Sequence, residues 1–453
     1  MVKINYGVSI VFIFLINNLF LQAQPSILIS DVNIIPMNEK DKILSNMDVF
    51  IQGENIVAIA SHSKRNKGKI TIDGSGKYLI PGLSEMHAHI PVPDDGDESL
   101  VHETLFLYLS HGITTIRGML GAPYHLLLRE QTDALEFPTP RVYTSSPSLN
   151  GSTIPTAIDA RDSVIKYKNA GYDFLKIHPG VTREAFDELV NTATEVGIDF
   201  AGHVPADIGI EHAIASGYAS IDHLDGYVEG LVPQENRGEG GFFGVMLAEQ
   251  CNEDLINELV KTTREKGIAV VPTQTLMTRW LSPKSPYEMV REPEMALMPP
   301  MTRYSWRQNK QRLLDRLNYS PNLYKRFIEI RNKYIKAFQD QGVLITLGSD
   351  APQVFNVPGV SIHHEMKAMA DAGLTPYEIL KSGTVNVASF FDTPERGTIE
   401  IGKVADLVLL AANPLDDIQH ASQIESVIYR GQILQKETIS KQLEMIKEKY
   451  KTE

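Results

Sequence analysis

The chain has 453 residues, of which 43% are hydrophobic and 22% are charged. This composition is typical of globular proteins and excludes a disordered or fibrous protein. The formal net charge of -13, without a run of Lys and Arg residues, argues against a nucleic-acid-binding protein.

Residues 1–23 have the pattern of a signal peptide. Lys3 supplies a positive charge, residues 7–21 form an apolar stretch, and Ala23 offers a small residue for cleavage. Because the apolar stretch is short for a membrane span, we expect cleavage, with a retained anchor as the alternative. The sequence therefore predicts an exported protein, periplasmic or secreted, that meets a membrane only during export. The single cysteine, Cys251, excludes an internal disulfide.

Two β-rich pieces lie near the two ends of the chain. Residues 24–80 and 396–436 alternate apolar and polar positions between Gly, Asn and Asp turns, as half-buried strands do. We expect these pieces to form one small β-sandwich domain. Residues 437–453 have a charged amphipathic pattern that predicts a C-terminal helix.

Strand and helix patterns alternate over residues 81–395. Thr182 and Gly197, for example, flank an amphipathic helix as its predicted N-cap and stop. Eight such units over roughly 300 residues predict an α/β fold, the (β/α)8 TIM barrel. Residues 278–325 interrupt the alternation with Trp, Pro and basic residues. They are either a solvated helical insertion or a cover over the substrate.

Six side chains with the chemistry of metal ligands lie at the ends of predicted barrel strands. His87 and His89 are two residues apart, so in a strand their side chains point the same way. Lys176 lies in an apolar strand, where a buried charge is costly unless it is neutralised or used. The C-terminal ends of the strands form the catalytic face of a TIM barrel. The pattern therefore predicts a metal-dependent enzyme with the candidate ligands His87, His89, Lys176, His203, His223 and Asp350.

The same motifs carry a family resemblance. The segments PGLSEMHAHI and DFLKI, the two later histidines and the strand end SDA resemble the binuclear amidohydrolase superfamily. GVSIHHEMKAMADAGLTPYEILKSGTVNVASFF and GTIEIGKVADLVLL are similar to the group that contains imidazolonepropionase and the Xaa-Pro dipeptidases. The resemblance covers nearly the whole chain after residue 23, and it also implies the β-sandwich built from both chain ends.

Two divalent metal ions are implied by this resemblance. His87, His89 and Asp350 match the ligands of the more buried ion, and Asp350 also matches the residue that transfers protons. His203 and His223 match the ligands of the outer ion. Histidine together with oxygen ligands favours zinc, with manganese, cobalt or iron as alternatives.

Further residues are assigned by the same resemblance. Lys176 matches the lysine that is carboxylated in the family and bridges both ions. Tyr227 matches a tyrosine that binds substrate in parts of the family. His178 follows Lys176 by two residues, so it is a candidate for substrate contact or for simple polar packing. Arg117 lies where relatives have Arg-Asp, but Gly118 replaces the aspartate, so no role is predicted for Arg117.

The resulting prediction is a hydrolase of amide-type C–N bonds that uses a hydroxide activated by two metal ions. The substrate is a small molecule or a short peptide, which makes the enzyme either dipeptidase-like or a cyclic-amide hydrolase. A deaminase of the same superfamily and a non-catalytic scaffold on the same fold are the alternatives. The sequence leaves the substrate, the metal and the oligomeric state open.

Overall fold

The computed structural model describes residues 26–238, 240–317 and 320–451. The predicted signal peptide, residues 1–23, lies outside the described residues. Within those ranges, no helix is both long and apolar enough to cross a bilayer.

The described chain begins with five strands that bury one apolar core. Ile27, Ile29 and Val32 of the first strand are buried in that core together with Val49 and Ile51 of the second. The strands are β1 (Ile27–Ile34), β2 (Leu44–Gln52), β3 (Asn55–Ser61), β4 (Ile70–Asp73) and β5 (Tyr78–Pro81). Strands β1, β2 and β3 pair antiparallel in sequence order, whereas β4 and β5 run parallel to β1.

Seven parallel strands then alternate with helices around the barrel. Thr182 caps the fourth helix by accepting a hydrogen bond from the Ala185 N–H, and Gly197 ends it with a φ of 66°. Both agree with the predicted helix signals. The elements are β6 (Leu83–Ala88), α1 (Ser99–Ser110), β7 (Ile113–Gly118), α2 (Pro123–Asp133), β8 (Arg141–Leu149), α3 (Ala157–Ala170), β9 (Phe174–Ile177), α4 (Arg183–Val196), β10 (Phe200–Gly202), α5 (Gly209–Ala215), β11 (Ser220–Asp222), α6 (Ile256–Glu265) and β12 (Ala269–Val271).

Between β11 and α6 the chain forms short 3-10 turns. One of these turns contains a reversal at Phe243 and Gly244, whose φ angles are 53° and 74°. The turns are Glu229–Leu231, Gln234–Asn236, Phe242–Gln250 and Glu253–Leu255. They form a long connection on the C-terminal side of the barrel strands.

Residues 344–351 close the barrel without forming a regular strand. Isolated parallel bridges join Ile345 to Val270 and Ala351 to Ala88, so this segment lies between β12 and β6. Gly348 makes the closure possible, because a Cβ atom there would lie 2.9 Å from the backbone nitrogen of His87. The segment occupies the position of the eighth predicted strand, and the barrel fold is confirmed.

The insertion between β12 and this closing segment is helical. Its elements are α7 (Gln274–Trp280), α8 (Pro286–Met289), α9 (Pro300–Leu317) and α10 (Pro321–Gln341). Lys310, one of the basic residues of this segment, is buried, and its Nζ donates to the carbonyl oxygens of Arg279 and Ser282 at 2.7 Å each. The ammonium group thereby satisfies carbonyls near the end of α7, which fixes α9 against that helix.

The last part of the chain returns to the sheet. Its elements are α11 (Val360–Asp371), α12 (Pro376–Gly383), α13 (Val385–Phe390), β13 (Leu407–Leu410), β14 (Ile424–Tyr429), β15 (Gln432–Gln435) and α14 (Lys436–Lys449). Strand β13 pairs antiparallel with β5, which joins the two chain ends. The result is one eight-stranded sheet in the order β15-β14-β13-β5-β1-β2-β3, with β4 beside β1.

Candidate metal centre

The six predicted ligands lie together at one end of the barrel. His87 is in β6 and Lys176 in β9. The residues that directly follow strand ends are His89, His203 and His223, after β6, β10 and β11, while Asp350 lies in the closing segment. Parallel strands of a barrel present their C-terminal ends on one face, which explains the convergence. His223 and Asp350 have positive φ angles of 63° and 60°. Such backbone geometry is unfavourable for residues other than glycine, and it is concentrated at functional sites.

The inner part of the cluster joins β6, β9 and the closing segment. Nε2 of His89 lies 2.8 Å from Oδ1 of Asp350, and Nε2 of His87 lies 3.9 Å from the same oxygen. Nζ of Lys176 lies 3.2 Å from Nε2 of His87. Two donors on one zinc ion, each about 2.1 Å from it, lie within roughly 4 Å of each other. Oδ1 of Asp350 meets that condition with Nε2 of His89 and with Nε2 of His87.

The outer part of the cluster consists of His203 and His223. Their ring centroids are 4.6 Å apart, and the centroid of His223 lies 4.3 Å from that of His87. Nδ1 of His223 lies 3.7 Å from Oδ2 of Asp350, so this carboxylate faces both parts of the cluster. His87, His223 and Asp350 offer donor atoms that all lie within 4.8 Å of one another.

The chemistry of these donors fits a divalent cation. Oδ1 of Asp350 is buried and has no hydrogen-bond partner among the described residues, although the His89 ring is close to it. An isolated buried carboxylate oxygen is costly, and a metal ion removes that cost. Imidazole and carboxylate are also the ligands that suit zinc and its neighbours. The residues present therefore fit a metal ion, while its identity and the number of ions stay predictions.

Three of the candidate histidine ligands each contact a polar side chain through Nδ1 of the ring. Nδ1 of His87 lies 2.8 Å from Oδ2 of Asp222, and Nδ1 of His203 lies 2.9 Å from Oδ2 of Asp225. Nδ1 of His223 lies 2.9 Å from Oγ1 of Thr273. Partners of this kind fix the tautomer and the orientation of a metal-binding imidazole. The sequence analysis missed all three.

Arg117 explains how Asp222 is held. Its guanidinium donates to both carboxylate oxygens of Asp222 at 3.1 and 3.2 Å, and to Oγ of Ser220 at 3.0 Å. Its Nε donates to the carbonyl oxygen of Met86 at 2.7 Å. Arg117, to which the sequence assigned no role, thus supports the carboxylate that contacts His87. The missing aspartate at Gly118 does not remove this function, because Asp222 comes from another strand.

Glu85 is a second buried carboxylate that the sequence analysis missed. It accepts hydrogen bonds from the backbone nitrogens of His87 at 2.9 Å and Ser349 at 2.7 Å. It therefore joins β6 to the segment that carries Asp350. Burial raises the pKa of Glu85 to about 8, although these hydrogen bonds oppose the shift. The period of two in β6 puts Glu85 on the same face as His87 and could have revealed it.

Burial also determines the charge states of the candidate ligands. Desolvation, together with the nearby Lys176, lowers the pKa of His87 and His203 well below the usual value. Burial, together with His203 and then Lys176, does the same for His223. Desolvation lowers the pKa of Lys176 to about 8, although Asp222 and Asp350 oppose the shift. Neutral imidazoles have the free lone pair that a metal requires.

The two predicted substrate-binding residues have different positions. The ring of His178 stacks on that of His203 with a centroid distance of 5.0 Å, so His178 lies beside the cluster. Tyr227 does not. Its hydroxyl bonds Oγ1 of Thr263 in α6 at 2.8 Å, and its ring packs against Tyr334 of α10. The structure therefore places Tyr227 between the barrel and its outer helices and does not bring it to the cluster.

A large cavity opens next to the outer histidines. Its volume is about 950 Å³, and its lining includes His203, Asp225, Glu229, Phe242 and Phe243. The ring of Phe243 lies 6.0 Å from that of His203 and 5.5 Å from that of His223, measured between centroids. Ligand pockets have volumes of about 300–1,000 Å³. The cavity is thus large enough for a small-molecule or peptide ligand.

Part of the insertion supports the wall of this cavity. Trp280 of α7 packs edge-on against Phe242 with a centroid distance of 4.7 Å. A Cβ atom on Gly241 would lie 3.2 Å from a methyl carbon of Leu317 in α9. The insertion therefore contacts the loop that carries Phe242 and Phe243, in addition to exposing much of its own surface.

Comparison with known proteins agrees with this site. The sequence profile of the Amidohydrolase family matches residues 78–434, and the chain belongs to this family. An adenine deaminase of Lysinibacillus sphaericus (strain C3-41) is 22% identical over 367 residues, which are 80% of this chain and 51% of that protein. Adenine deaminase 3 of Rhizobium meliloti (strain 1021) is 25% identical over 217 residues, 44% of this chain and 36% of that protein. The chain thus spans about half the length of the first relative and about a third of the length of the second.

Solved structures share the fold. A bottromycin amidohydrolase superposes with a TM-score of 0.70 at 20% identity, covering 93% of this chain and 90% of the other. A Xaa-Pro dipeptidase with bound methionine superposes with a TM-score of 0.67 at 19% identity, covering 90% and 99%. Identities this low establish the architecture, so substrate and activity have to be argued from the site.

Proposed function

We propose that this protein is a metal-dependent hydrolase of amide-type C–N bonds. The observation that carries the proposal is that His87, His223 and Asp350 offer donor atoms within 4.8 Å of one another. The Oδ1 atom of Asp350, which also lies 2.8 Å from Nε2 of His89, has no hydrogen-bond partner in the described chain. Membership of the Amidohydrolase family supports it. We further propose that the centre holds two divalent ions, zinc being the first choice, with His203 and His223 as ligands of the outer one.

When bound, the metal ions would polarise the scissile carbonyl and make water acidic enough to attack near neutral pH. The residues of the chain have separate tasks. Asp350 accepts the proton of the attacking water and delivers it to the leaving nitrogen, because its carboxylate faces both parts of the cluster. Asp222, Asp225 and Thr273 keep the imidazole rings oriented.

Lys176 is proposed to act as a carbamate. Its side chain is fully buried and touches His87, so an ammonium group there would repel any cation held by the cluster. The lowered pKa makes the neutral amine accessible, and that amine adds to carbon dioxide. The product, which has lost one proton to solvent, is an anionic oxygen ligand that suits two divalent ions.

The proposed substrates are dipeptides, N-acyl amino acids or cyclic amides. Two observations support this class: the cavity of about 950 Å³ beside His203, and a fold shared with a Xaa-Pro dipeptidase and a bottromycin amidohydrolase. A screen of dipeptides, N-acyl amino acids, lactams and lactones with metal-loaded protein tests it. Hydrolysis of lactones alone would contradict a C–N hydrolase.

Adenine deaminase relatives favour deamination as the second candidate. Release of ammonia from adenine or another aminopurine, with no activity on the amide panel, would select that function instead. A scaffold without activity would purify without stoichiometric metal.

We also propose that the protein is exported. The proposal rests on Lys3, the apolar residues 7–21 and Ala23. N-terminal sequencing of protein from the native host tests it, with a first residue near Gln24 expected. An intact Met1 or activity confined to the cytoplasm would contradict export.

A further inference from the structure

One carboxylate that lines the large cavity has an oxygen without a hydrogen-bond partner among the described residues. Glu229 follows β11, lines the cavity and has a buried Oε2 without a hydrogen-bond partner among the described residues. The group is six residues beyond His223 and is not part of the metal cluster. A buried carboxylate oxygen that lacks a partner is unfavourable unless a ligand supplies one.

The backbone of the following turn brings Glu229 to this position. A Cβ atom on Gly244 would lie 2.9 Å from Cδ of Glu229, and φ of Gly244 is 74°. Only glycine combines this backbone with so close an approach. The preceding residue, Phe243, has a φ of 53°, which is unfavourable for an aromatic residue. The turn thus places an aromatic ring over the outer histidines and leaves room for a carboxylate next to it.

The other charged groups around the cavity are already engaged or solvated. Arg183 donates to Oδ2 of Asp187 at 3.1 Å, and Arg237 donates to Oε1 of Glu211 at 2.9 Å. Asp207 lines the same cavity, but it is exposed to solvent. Asp225 also lines the cavity, but its Oδ2 lies 2.9 Å from Nδ1 of His203 and accepts a hydrogen bond from the Val204 N–H. Among the carboxylates that line the cavity, Glu229 alone has a buried oxygen without a hydrogen-bond partner in the described chain. It is therefore the best binding site in the cavity for a cationic group.

We propose that Glu229 binds a protonated amine of the substrate, while Phe242 and Phe243 contact an apolar side chain next to that amine. The inference rests on the proposed function and narrows its substrates to compounds with a free amino group and an aromatic or aliphatic side chain on the acyl side. Such a substrate would put its carbonyl toward the metal cluster and its ammonium toward Glu229. An unsubstituted dipeptide has this arrangement of groups, whereas an N-acylated amino acid lacks the charge.

Binding of L-phenylalanine and 3-phenylpropanoate to the metal-loaded protein tests the proposal without requiring turnover. The two probes differ only in the amino group, and both resemble the acyl half of a dipeptide. Isothermal titration calorimetry is expected to give about 10- to 100-fold tighter binding of L-phenylalanine, the range of a hydrogen bond between charged groups. In Glu229→Gln this preference should fall to about threefold or less, while the affinity for 3-phenylpropanoate stays the same.

Asp207→Asn is the matched control, because it removes the same charge from the exposed rim of the cavity. It should keep the preference of the wild type. Glu229→Asp should keep part of it, since the charge remains on a shorter side chain. Circular dichroism melting of each variant shows whether it is folded.

Equal affinities in the wild type would overturn the proposal, as would failure of L-phenylalanine to bind at millimolar concentration. A preference that persists in Glu229→Gln would also overturn it, because chelation of a metal ion by the amino acid would then account for the difference. A different result would show that the proposed function fails while this inference holds. The protein would then hydrolyse no amide, yet its preference for L-phenylalanine would still depend on Glu229.

Discussion

The Oδ2 atom of Asp222 lies 2.8 Å from Nδ1 of His87, and both side chains are buried. The contact joins β11 to β6 across the interior of the barrel. Arg117 donates two hydrogen bonds to the same carboxylate, which orients it and opposes the rise in the pKa of Asp222 that burial causes. His87 is consequently presented to the cluster in one orientation before any metal ion binds.

Replacing Asp222 should weaken metal binding without removing a ligand. In Asp222→Asn the partner of His87 loses its charge, and Arg117 is left without its buried counter-ion. We expect metal affinity to fall about 10- to 100-fold, as is usual for residues that orient a ligand. Competition with a fluorescent chelator measures it. Asp162→Asn, on the exposed surface of α3, is the control and should bind metal like the wild type.

The metal content should be about two divalent ions per chain. Replacing His203 and His223 together with alanine should empty the outer position first and leave about one ion, because His87, His89 and Asp350 remain. Elemental analysis after reconstitution gives the count. One ion at most in fully active wild-type protein would mean that the binuclear proposal is wrong.

Lys176→Ala should lose most activity and much metal affinity, since the proposed bridging group is absent. Acetate or propionate should restore part of the activity, because a small carboxylate fits the vacated volume and supplies two oxygen donors. Lys176→Arg should not respond, since guanidinium keeps its charge and its bulk. Turnover across a carboxylate titration at fixed metal distinguishes these cases. Near-wild-type activity of Lys176→Ala without carboxylate would leave the carbamate proposal untenable.

Tyr227→Phe should keep kcat/KM within about twofold of the wild type, because the hydroxyl faces Thr263 and not the cluster. Loss of this buried hydrogen bond should instead reduce the free energy of unfolding by about 1 kcal/mol. Steady-state kinetics and urea unfolding measure the two effects. A large rise in KM with unchanged stability would restore the substrate-binding role predicted from the sequence.

Asp48 should make the stability depend on acid pH. Burial alone would raise its pKa, but hydrogen bonds from His62, Asn66 and two backbone nitrogens outweigh burial and lower the pKa to about 2. The unfolded value is about 3.9, so the contribution is complete above pH ~4 and is lost as the pH falls toward 2. It amounts to about 2 kcal/mol.

Asp48→Asn measures this contribution. The variant should be less stable than the wild type at pH 6 by about 2 kcal/mol, and the difference should shrink as the pH is lowered from 4 to 2. Urea unfolding at a series of pH values provides the data. A difference that is constant from pH 6 to pH 2.5 would show that the charge of Asp48 does not stabilise the sheet.

The barrel and the convergence of the candidate ligands could be predicted because both follow from short-range rules. Alternation of strands and helices gives the barrel, and the barrel brings His203, His223 and Asp350 to one face whatever their distance along the chain. The orientation of Tyr227 could not be predicted. His223 and Leu224 both have left-handed backbones, with φ angles of 63° and 52°, so a spacing of four residues does not determine direction there.

Contacts between residues that are far apart in the sequence could not be predicted either. Asp222 contacts Arg117 only because β7 and β11 face each other across the barrel interior, and nothing local to either strand indicates it. Glu229 belongs to an irregular connection whose path depends on a reversal at Phe243. The position of Glu85, two residues before His87 on the same face of the strand, could be predicted from the sequence. Its role could not, because a carboxylate in an apolar strand can serve several purposes.

The pairing of β5 with β13 has a consequence for the order in which the chain folds in time. During synthesis at about 5–20 residues per second, β5 waits roughly 15 to 65 seconds for its partner. In that interval its backbone donors and acceptors on that side form an open edge, which other chains can pair with. Truncated or stalled chains that end before Leu407 should therefore aggregate even when their barrel sequence is intact.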